Sequence, residues 1–237
     1  MTKLIEKVFI SGRIVTETGL HIGGSKTALD IGGIDLNVIK SADGVPFIPG
    51  SSIKGKLRSL LAHLYGSSDV RDDRNFPVIV ELFGDEQDRE ADGKPSRLIV
   101  RDATLDRNHF EEQKKTGVFS DLELQYTEGK WENTIDRKTG AAKKGGLRQL
   151  ERVPSGSMFD FEIVYNVFDD NRKKVHLEEI VKAMRLLQDD YLGGHGSRGY
   201  GKIRFDNVSI TVKSIDDYRG ANKRRPEPSV TFDVQTP

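Results

Sequence analysis

Alternation of apolar and polar positions along the chain predicts several β-strands. The clearest is Met158–Phe168, in which every second residue is apolar, and a later strand is predicted to bulge near Asp206 and Asn207. The predicted strands cover residues 4–18, 97–104, 118–127, 158–168 and 200–215, the third with the weakest alternation. The glycine-rich stretch 19–35 after the first strand predicts a loop with unusual backbone dihedral angles.

Other stretches repeat their apolar residues every three or four positions, which predicts amphipathic helices. The first helix follows Pro49-Gly50-Ser51-Ser52, where a serine is predicted to cap the first turn, and it ends at Gly66. Its apolar face consists of Ile53, Leu57, Leu60, Leu61 and Leu64. The second helix covers 176–192 and stops at Gly193-Gly194. A short helix is also predicted at 78–83.

The order of the most clearly predicted strands and helices indicates an α+β fold. Strand, helix and strand are followed by an insertion and then by strand, helix and strand again, which fits a ferredoxin-like (RRM-like) β-α-β unit. We expect one domain at 1–217 and a flexible tail at 218–237. The domain carries long insertions: the glycine-rich loop, an acidic insertion at 67–96 and a basic hairpin at 128–157.

Composition narrows the class of protein. The 237 residues carry 37 Lys and Arg against 37 Asp and Glu, so a uniformly basic nucleic-acid binder is excluded and such binding must come from local patches. The absence of cysteine excludes disulfides, zinc–thiolate sites and a cysteine nucleophile. No apolar run approaches the ~18 residues of a membrane span, and the N-terminus lacks a signal-peptide core. We therefore expect a cytoplasmic protein without membrane contact.

Acidic and basic residues are equal in number, but they are concentrated in different parts of the chain. Nine acidic residues lie between Asp69 and Asp92, whereas residues 137–152 carry six basic residues and one acid. Separate basic and acidic faces suggest polyanion binding on one side and head-to-tail stacking of copies. For any single run, the alternative is a solvated surface.

Two basic stretches are candidates for binding a sugar-phosphate backbone. The segment 193–202 contains five glycines, whose bared amides form a nest for phosphate oxygens; the alternative is a flexible loop. A dinucleotide fingerprint fits poorly there, because that motif leaves a strand and opens a helix. The start of the first helix combines two hydroxyls with three cations, Ser51, Ser52, Lys54, Lys56 and Arg58; the alternative is an ordinary capped helix with solvated lysines. A nucleotide hydrolase is disfavoured, because Leu57 follows Lys56 where its phosphate loop needs Ser or Thr.

Two residues of the glycine-rich loops are candidates for chemistry. Asp35 is suited to take a proton from a ribose 2′-hydroxyl or to hold a divalent ion, and Asp30 is near enough in sequence to pair with it. The alternative is a turn-forming Asp, and one carboxylate is a weak metal site. His21 is suited to stack on a base or act as an acid, and the alternative is a packed or solvated histidine.

Taken together, these stretches resemble the RAMP superfamily of CRISPR-associated proteins. The resemblance rests on 18–24, 34–39, 48–58 and 193–201, with the basic segments 132–137 and 148–153. It covers residues 5–212 and is closest to the multi-copy backbone subunit of type III-A (Csm) effector complexes. The chain departs from the family pattern at Leu36-Asn37, where a small residue and proline are common, and at Thr139–Gly146, which are extra residues.

The resemblance implies that copies of the chain stack along a CRISPR RNA with other Csm subunits. The insertion 128–157 would be the thumb, a hairpin that kinks the guide–target duplex at regular intervals. Asp35 stands where the family has the residue that cuts complementary target RNA with a divalent metal, Mg²⁺ or Mn²⁺. The implied RNA-binding residues are His21, Ser51, Ser52, Lys54, Lys56, Arg58, Arg137, Arg148, Arg152, Gly194, His195, Gly196, Ser197, Arg198 and Gly199.

Three functions are compatible with these residues. The first is an RNA-guided endoribonuclease subunit that also serves as a scaffold. The second is a non-catalytic RNA-binding scaffold, in which Asp35 only supports its loop. The third is a CRISPR-RNA processing endoribonuclease that works with histidine. That third function favours a loop histidine with a serine or lysine partner and two fused ferredoxin-like halves, whereas this chain shows one convincing half pair and no such triad.

Overall fold

The computed structural model describes residues 3–24, 37–85, 95–119, 122–220, 223–228 and 230–232. The strands are β1 (Leu4–Thr16), β2 (Phe47–Ile48), β3 (Leu98–Val100), β4 (Ala103–Leu105), β5 (Glu128–Glu132), β6 (Arg148–Arg152), β7 (Met158–Phe168), β8 (Ile203–Ser214) and β9 (Arg225–Pro226). The helices are α1 (Gly50–Tyr65), α2 (Pro77–Phe83), α3 (Arg107–Lys115), α4 (Lys173–Asp189) and α5 (Ile215–Arg219), with 3-10 turns at Asp72–Asn75 and Gly196–Arg198.

Seven strands form one antiparallel sheet in the order β2-β4-β7-β1-β8-β9, with β3 pairing to β7 beside β4. The alternation of β1 places Val8, Ile10 and Ile14 in the core, where α1 and α4 lie side by side. Each such fully buried aliphatic side chain contributes about 1.5–3 kcal/mol. The α+β class predicted from the sequence is confirmed.

Most of the long elements lie where the periodicity predicts them. β1, β7 and β8 match the three main predicted strands, and α4 begins three residues earlier than its predicted start at His176. The bulge in β8 is confirmed: its register with β1 shifts between Ser11 and Arg13, and Asn207 has a φ of +51°.

Three sequence-based expectations are wrong or incomplete. Residues 118–127 form turns and bends instead of a strand in their described part. The strand predicted at 97–104 is split into β3 and β4, because Arg101 and Asp102 interrupt it. The helix α3 is missing from the prediction, since Phe110 is its one buried residue; its N-terminus is capped by the Asp106 carboxylate, which accepts the amide of His109 at 3.0 Å.

The first turn of α1 also differs from the expectation. Neither Ser51 nor Ser52 caps it; the residue before the helix is Pro49, and no side chain at that position accepts a hydrogen bond. Instead the Asp102 carboxylate accepts the amide of Gly50 at 2.7 Å. A carboxylate that is distant in sequence, between β3 and β4, therefore stabilises this positive helix end. The predicted stop at Gly66 is confirmed.

The acidic insertion and the tail both contact the body of the protein. Asp73, in the 3-10 turn after α1, is buried and accepts a hydrogen bond from Arg58 at 2.8 Å. In the tail, β9 pairs with β8, and the buried Glu227 lies 2.6 Å from the ammonium of Lys173. The ring of Phe232 packs edge-on against a core phenylalanine. These contacts join both segments to the central sheet and its helices.

A buried polar cluster connects α2 with α4. His176 is fully buried, with Nδ1 2.7 Å from the hydroxyl of Tyr165 and Nε2 2.8 Å from the carboxylate of Glu81. Burial lowers the pKa of His176 below its usual value and outweighs the opposing effect of Glu81, while the guanidiniums of Arg97 and Arg172 lower it further. The imidazole is therefore neutral in the folded protein at neutral pH.

Stability is expected to fall as the pH drops below about 6.5, where unfolded His176 takes up a proton and folded His176 does not. Acid therefore favours the unfolded state. The substitution His176→Gln should flatten the dependence of the thermal midpoint on pH between about pH 7 and 5.5, even if the midpoint itself is lower. Burial also lowers the pKa of His195. The substitution His195→Gln therefore measures how much of the pH dependence of the thermal midpoint comes from His195. Equal slopes for the parent and His176→Gln would contradict this account.

Candidate nucleic-acid interface

The basic insertion is a hairpin outside the main sheet. β5 and β6 pair with each other as a two-stranded sheet. Its tip is closed by Asp136, whose carboxylate accepts the amides of Lys138 at 2.8 Å and Thr139 at 3.0 Å. Four exposed cations surround this tip and have no acidic side-chain partner in the described chain: Arg137, Lys138, Lys143 and Lys144. The hairpin therefore presents unneutralised charge to solvent.

Residues 19–21 lie between the base of this hairpin and the glycine loop. Leu20 exchanges both backbone hydrogen bonds with Val153, at 2.9 and 2.8 Å. On the other side, the amide of Gly194 donates to the carbonyl of His21 at 2.8 Å, and the amide of Gly201 donates to that of Gly19 at 3.0 Å. Three stretches that are far apart in sequence thus form one continuous surface.

Glycine is required at two positions of this loop by close backbone contacts. Gly193 has a φ of +80°, and a Cβ there would lie 2.3 Å from the carbonyl oxygen of His21. Gly201 has a φ of +74°, and a Cβ there would lie 2.0 Å from the carbonyl oxygen of Leu192. Several loop amides are used internally, since those of Gly194 and Gly201 already donate to carbonyls. Fewer amides therefore face solvent than the glycine content suggests.

Two of the predicted RNA-binding residues are a pair of neighbouring histidines. His21 is 5% exposed, and its Nδ1 lies 2.7 Å from the carbonyl oxygen of Glu151. Its ring centroid lies 5.5 Å from that of His195, which is half-buried with a φ of +62°. Burial and then the neighbouring His21 lower the pKa of His195, so it is neutral at neutral pH. His21 therefore packs beside the loop and offers little exposed ring to a base.

Cations from the hairpin and the loop meet around Tyr200. The ring of Tyr200 is 1% exposed, with the ammonium of Lys130 4.4 Å and the guanidinium of Arg152 5.3 Å from its centroid. His195 packs against the same ring at 5.6 Å. The structure thus brings together Arg152 and His195, both predicted from the sequence, with Lys130 and Tyr200, which the sequence patterns do not single out.

One carboxylate neutralises part of this cluster. Glu132 of β5 lies 3.0 Å from Arg148 and 3.6 Å from Arg198. Burial raises the pKa of Glu132, but Arg148, Tyr200 and Arg198 together outweigh that effect and hold it below its usual value. Glu132 therefore stays ionised and links the predicted residues Arg148 of the hairpin and Arg198 of the loop.

A cleft of about 400 Å³ opens beside this cluster. It is lined by Lys130, Glu132, Asn133, Thr134, Ile135, Arg148 and Arg198. Three of these side chains are cationic and one is anionic, so the cleft has a positive balance. Such a surface suits a polyanion held through its backbone.

The cations at the start of α1 have partners within the protein. Lys54 donates to the hydroxyl of Ser96 at 2.7 Å. Lys56 lies 2.9 Å from a carboxylate oxygen of Asp190, and Arg58 pairs with the buried Asp73. Ser51 is exposed and Ser52 half-buried. Lys56 also lies 3.8 Å from the ring centroid of Tyr191, whose ring packs against Gly196, so the start of α1 borders the glycine loop.

Asp35 and Asp30 lie outside the described residues, but the chain on either side of 25–36 is described. The amide of Gly24 donates to the carbonyl of Asn37 at 3.0 Å, and the amide of Ile39 donates to that of Ile22 at 2.9 Å. The two flanks are therefore side by side, directly after His21. Both described flanks of 25–36 thus lie at the candidate interface.

A buried carboxylate joins these flanks to the hairpin. Glu151 of β6 is 1% exposed. It accepts the amide of Val38 at 2.8 Å and the hydroxyl of Thr127 at 2.5 Å, and it pairs with the ammonium of Lys40. Its backbone carbonyl holds His21. In the sequence, Glu151 is only the one acid of a basic run. In the fold, it connects the base of the hairpin to Val38 and Lys40, which follow the segment that contains Asp35.

Comparison with known proteins gives a consistent result. The chain matches the RAMP superfamily over residues 13–204. It is 42% identical to the CRISPR system Cms endoribonuclease Csm3 of Methanocaldococcus jannaschii, over 93% of this chain and 87% of that protein. The protein of the same name from Streptococcus thermophilus is 44% identical over 87% of this chain and 90% of its own length.

A solved structure is similar as well. It is described as the Csm3-Csm4 subcomplex of the type III-A CRISPR-Cas interference complex. The matching chain is 30% identical, with a TM-score of 0.57, and the match covers 95% of this chain and 89% of that one. The similarity therefore spans nearly the whole chain.

Two kinds of feature are absent from the described residues. In the part of the chain that the structure describes, no helix is long and apolar enough to cross a lipid bilayer. Within those same residues, no group of three or more His, Asp or Glu side chains is arranged to hold a metal ion.

Proposed function

The chain belongs to the RAMP superfamily and groups with its CRISPR Csm3 members, and from that premise we propose that it is a backbone subunit of a type III-A CRISPR effector complex. Copies of the chain bind one CRISPR RNA in a row, beside other Csm subunits. Each copy cuts complementary target RNA once, with Asp35 as the catalytic group. Endoribonuclease is the activity for which the relatives are named.

One observation carries the RNA-binding part of this proposal. The hairpin, the glycine loop and the flanks of 25–36 form one surface. On it, Lys130 and Arg152 contact the ring of Tyr200, and Arg148 and Arg198 pair with Glu132. Cations collected from separate segments indicate an anionic ligand longer than one group. Phosphate contacts of this kind are indifferent to sequence, which suits a subunit that must accept any guide.

The strand order supports a ferredoxin-like assignment. We assign β1, the β3–β4 pair, β7 and β8 to the four strands of a split β-α-β unit, with α1 and α4 as its crossover helices. In this assignment the insertion 67–96 follows α1, and the thumb at 128–157 precedes β7. The interface residues then belong to loops and insertions on a regular sheet.

The chemistry proposed for Asp35 is simple. A carboxylate is suited to accept the proton of a ribose 2′-hydroxyl while that oxygen attacks the adjacent phosphorus and the 5′-oxygen leaves. Holding the RNA in a splayed conformation supplies the alignment. A divalent ion, Mg²⁺ or Mn²⁺, would be held by Asp35 together with water and phosphate oxygens. Such an ion would stabilise charge on the phosphate.

Removal of the four hairpin-tip cations tests RNA binding without disturbing the core. Changing Arg137, Lys138, Lys143 and Lys144 to glutamine should weaken binding of single-stranded RNA to all sequences alike, because phosphate contacts carry no sequence information. For every phosphate that these side chains no longer neutralise, the slope of log affinity against log salt should become shallower by about 0.7. Filter binding at several salt concentrations measures both.

The matched control changes the same number of exposed cations elsewhere: Lys115, Lys174, Arg219 and Lys223. It alters the net charge equally and should leave the salt slope near that of the parent. Equal losses for the two quadruple variants would mean that net charge, and not the hairpin, accounts for binding. An unchanged affinity for the tip variant would exclude the hairpin tip as an RNA-binding surface.

A further inference from the structure

We infer that Tyr200 is a positioning residue: its buried ring holds Lys130 and Arg152 of the hairpin against the glycine loop and so sets where these two cations meet RNA. The inference deepens the proposed function and rests on it. No pattern in the sequence singles out Tyr200, which stands between two glycines of the loop.

The backbone of Tyr200 is held firmly in place. Gly201 donates to the carbonyl of Gly19, its own carbonyl accepts the amide of Leu192 at 2.9 Å, and it has no room for a side chain. The ring of Tyr200 is 1% exposed. A fixed backbone and a buried ring make Tyr200 a rigid surface on which other groups are oriented.

Lys130 depends on this ring most directly. It lies on β5 opposite Leu150, and no acidic side chain pairs with it in the described part of the chain. The face of Tyr200, 4.4 Å from its ammonium, is the contact that orients it. Burial and the neighbouring Glu132 raise the pKa of Tyr200 to about 12. The phenol is therefore neutral, and the attraction comes from the ring itself.

Arg152 is held on two sides. Its guanidinium lies 5.3 Å from the centroid of Tyr200 and 2.6 Å from the carboxylate of Glu128. On the other side, its side chain packs so closely on Gly19 that a Cβ there would lie 2.4 Å from its Cδ. Because β5 and β6 lie outside the main sheet, these contacts help to fix the hairpin relative to the loop.

The test compares two substitutions at Tyr200. Tyr200→Phe keeps the ring face and should bind single-stranded RNA within about twofold of the parent. Tyr200→Leu removes the face and should weaken binding by roughly tenfold, the size of one strong cation–π contact. Tyr165→Leu is the matched control, since Tyr165 is equally buried but packs on His176. It should lower the thermal midpoint and leave RNA affinity unchanged.

A double-mutant cycle separates positioning from general loss of structure. In a Lys130→Met background, Tyr200→Leu should cost clearly less affinity than in the parent, because part of its effect has already been removed. Equal losses in both backgrounds, or full affinity in Tyr200→Leu, would overturn the inference. If Tyr200→Leu does not fold, the double variant Lys130→Met/Arg152→Met replaces it. That variant should show the same loss at a near-parental midpoint, and unchanged affinity would overturn the inference.

These outcomes distinguish this inference from the proposed function. A parent chain that binds no RNA, alone or in its complex, would overturn the proposed function and this inference with it. A parent chain that binds RNA with the expected salt slope, while Tyr200→Leu binds equally well, would overturn the role of Tyr200 and leave the proposed function standing.

Discussion

Replacing Asp35 with alanine is expected to abolish cleavage of complementary target RNA while binding of guide and target persists. A positioned general base contributes about 10²- to 10⁴-fold in rate, and a residue that also holds an ion contributes more, so the loss should reach the background of the assay. Binding should persist because the cations proposed to contact phosphate lie on the hairpin and the glycine loop. Denaturing gels of end-labelled target, incubated with the assembled complex, measure the effect.

Three controls make this result specific. Asp30→Ala should retain cleavage if Asp35 acts without a paired acid. Chelation of divalent metal by EDTA should stop cleavage by the parent and leave RNA bound, which separates chemistry from assembly. Cleavage that continues in Asp35→Ala at the same positions would show that Asp35 supports its loop and is not the catalyst. The chain would then be a scaffold, the second of the functions compatible with its sequence.

The long elements of the fold could be predicted because their cause is local. Strand β7 and helix α4 are defined by the alternation and periodicity of their own residues, and nothing distant overrides them. Helix α3 could not be found this way, because Phe110 is its one buried residue. The cap of α1 could not be found for a related reason: it is Asp102, which lies fifty-two positions away in the chain.

In the candidate site, too, features with a local cause could be predicted, whereas the tertiary arrangement could not. Arg152 and the loop around His195 could be identified from charge and glycine content. Their arrangement could not, because the ring that gathers them is Tyr200, and its partner Lys130 comes from a separate hairpin. Arg58 shows what the sequence leaves out. In the sequence it is one of three clustered cations, whereas in the fold it is committed to Asp73. Whether a cation is free depends on tertiary contacts that local composition does not contain.

Replacing Glu151 with alanine is expected to destabilise the protein by roughly 2–6 kcal/mol, because it leaves two buried donors unsatisfied at about 1–3 kcal/mol each. The variant would leave the amide of Val38, the hydroxyl of Thr127 and the ammonium of Lys40 without their acceptor, and Thr127 is fully buried. Glu151→Gln keeps one carbonyl oxygen and the volume, and should lose about 1–3 kcal/mol. Urea unfolding followed by circular dichroism measures both.

Two comparisons decide what that loss means. Glu178→Ala removes a carboxylate that is half exposed and paired at 3.9 Å with Lys174, so it should cost less than about 0.5 kcal/mol. Lys40→Met alone should cost clearly less than Glu151→Ala, since the Lys40 ammonium is partly exposed whereas Thr127 is fully buried. A loss below about 1 kcal/mol for Glu151→Ala would mean that water replaces the carboxylate. The link between the hairpin and the Asp35 segment would then depend on the backbone bonds of Leu20 and Val153 instead.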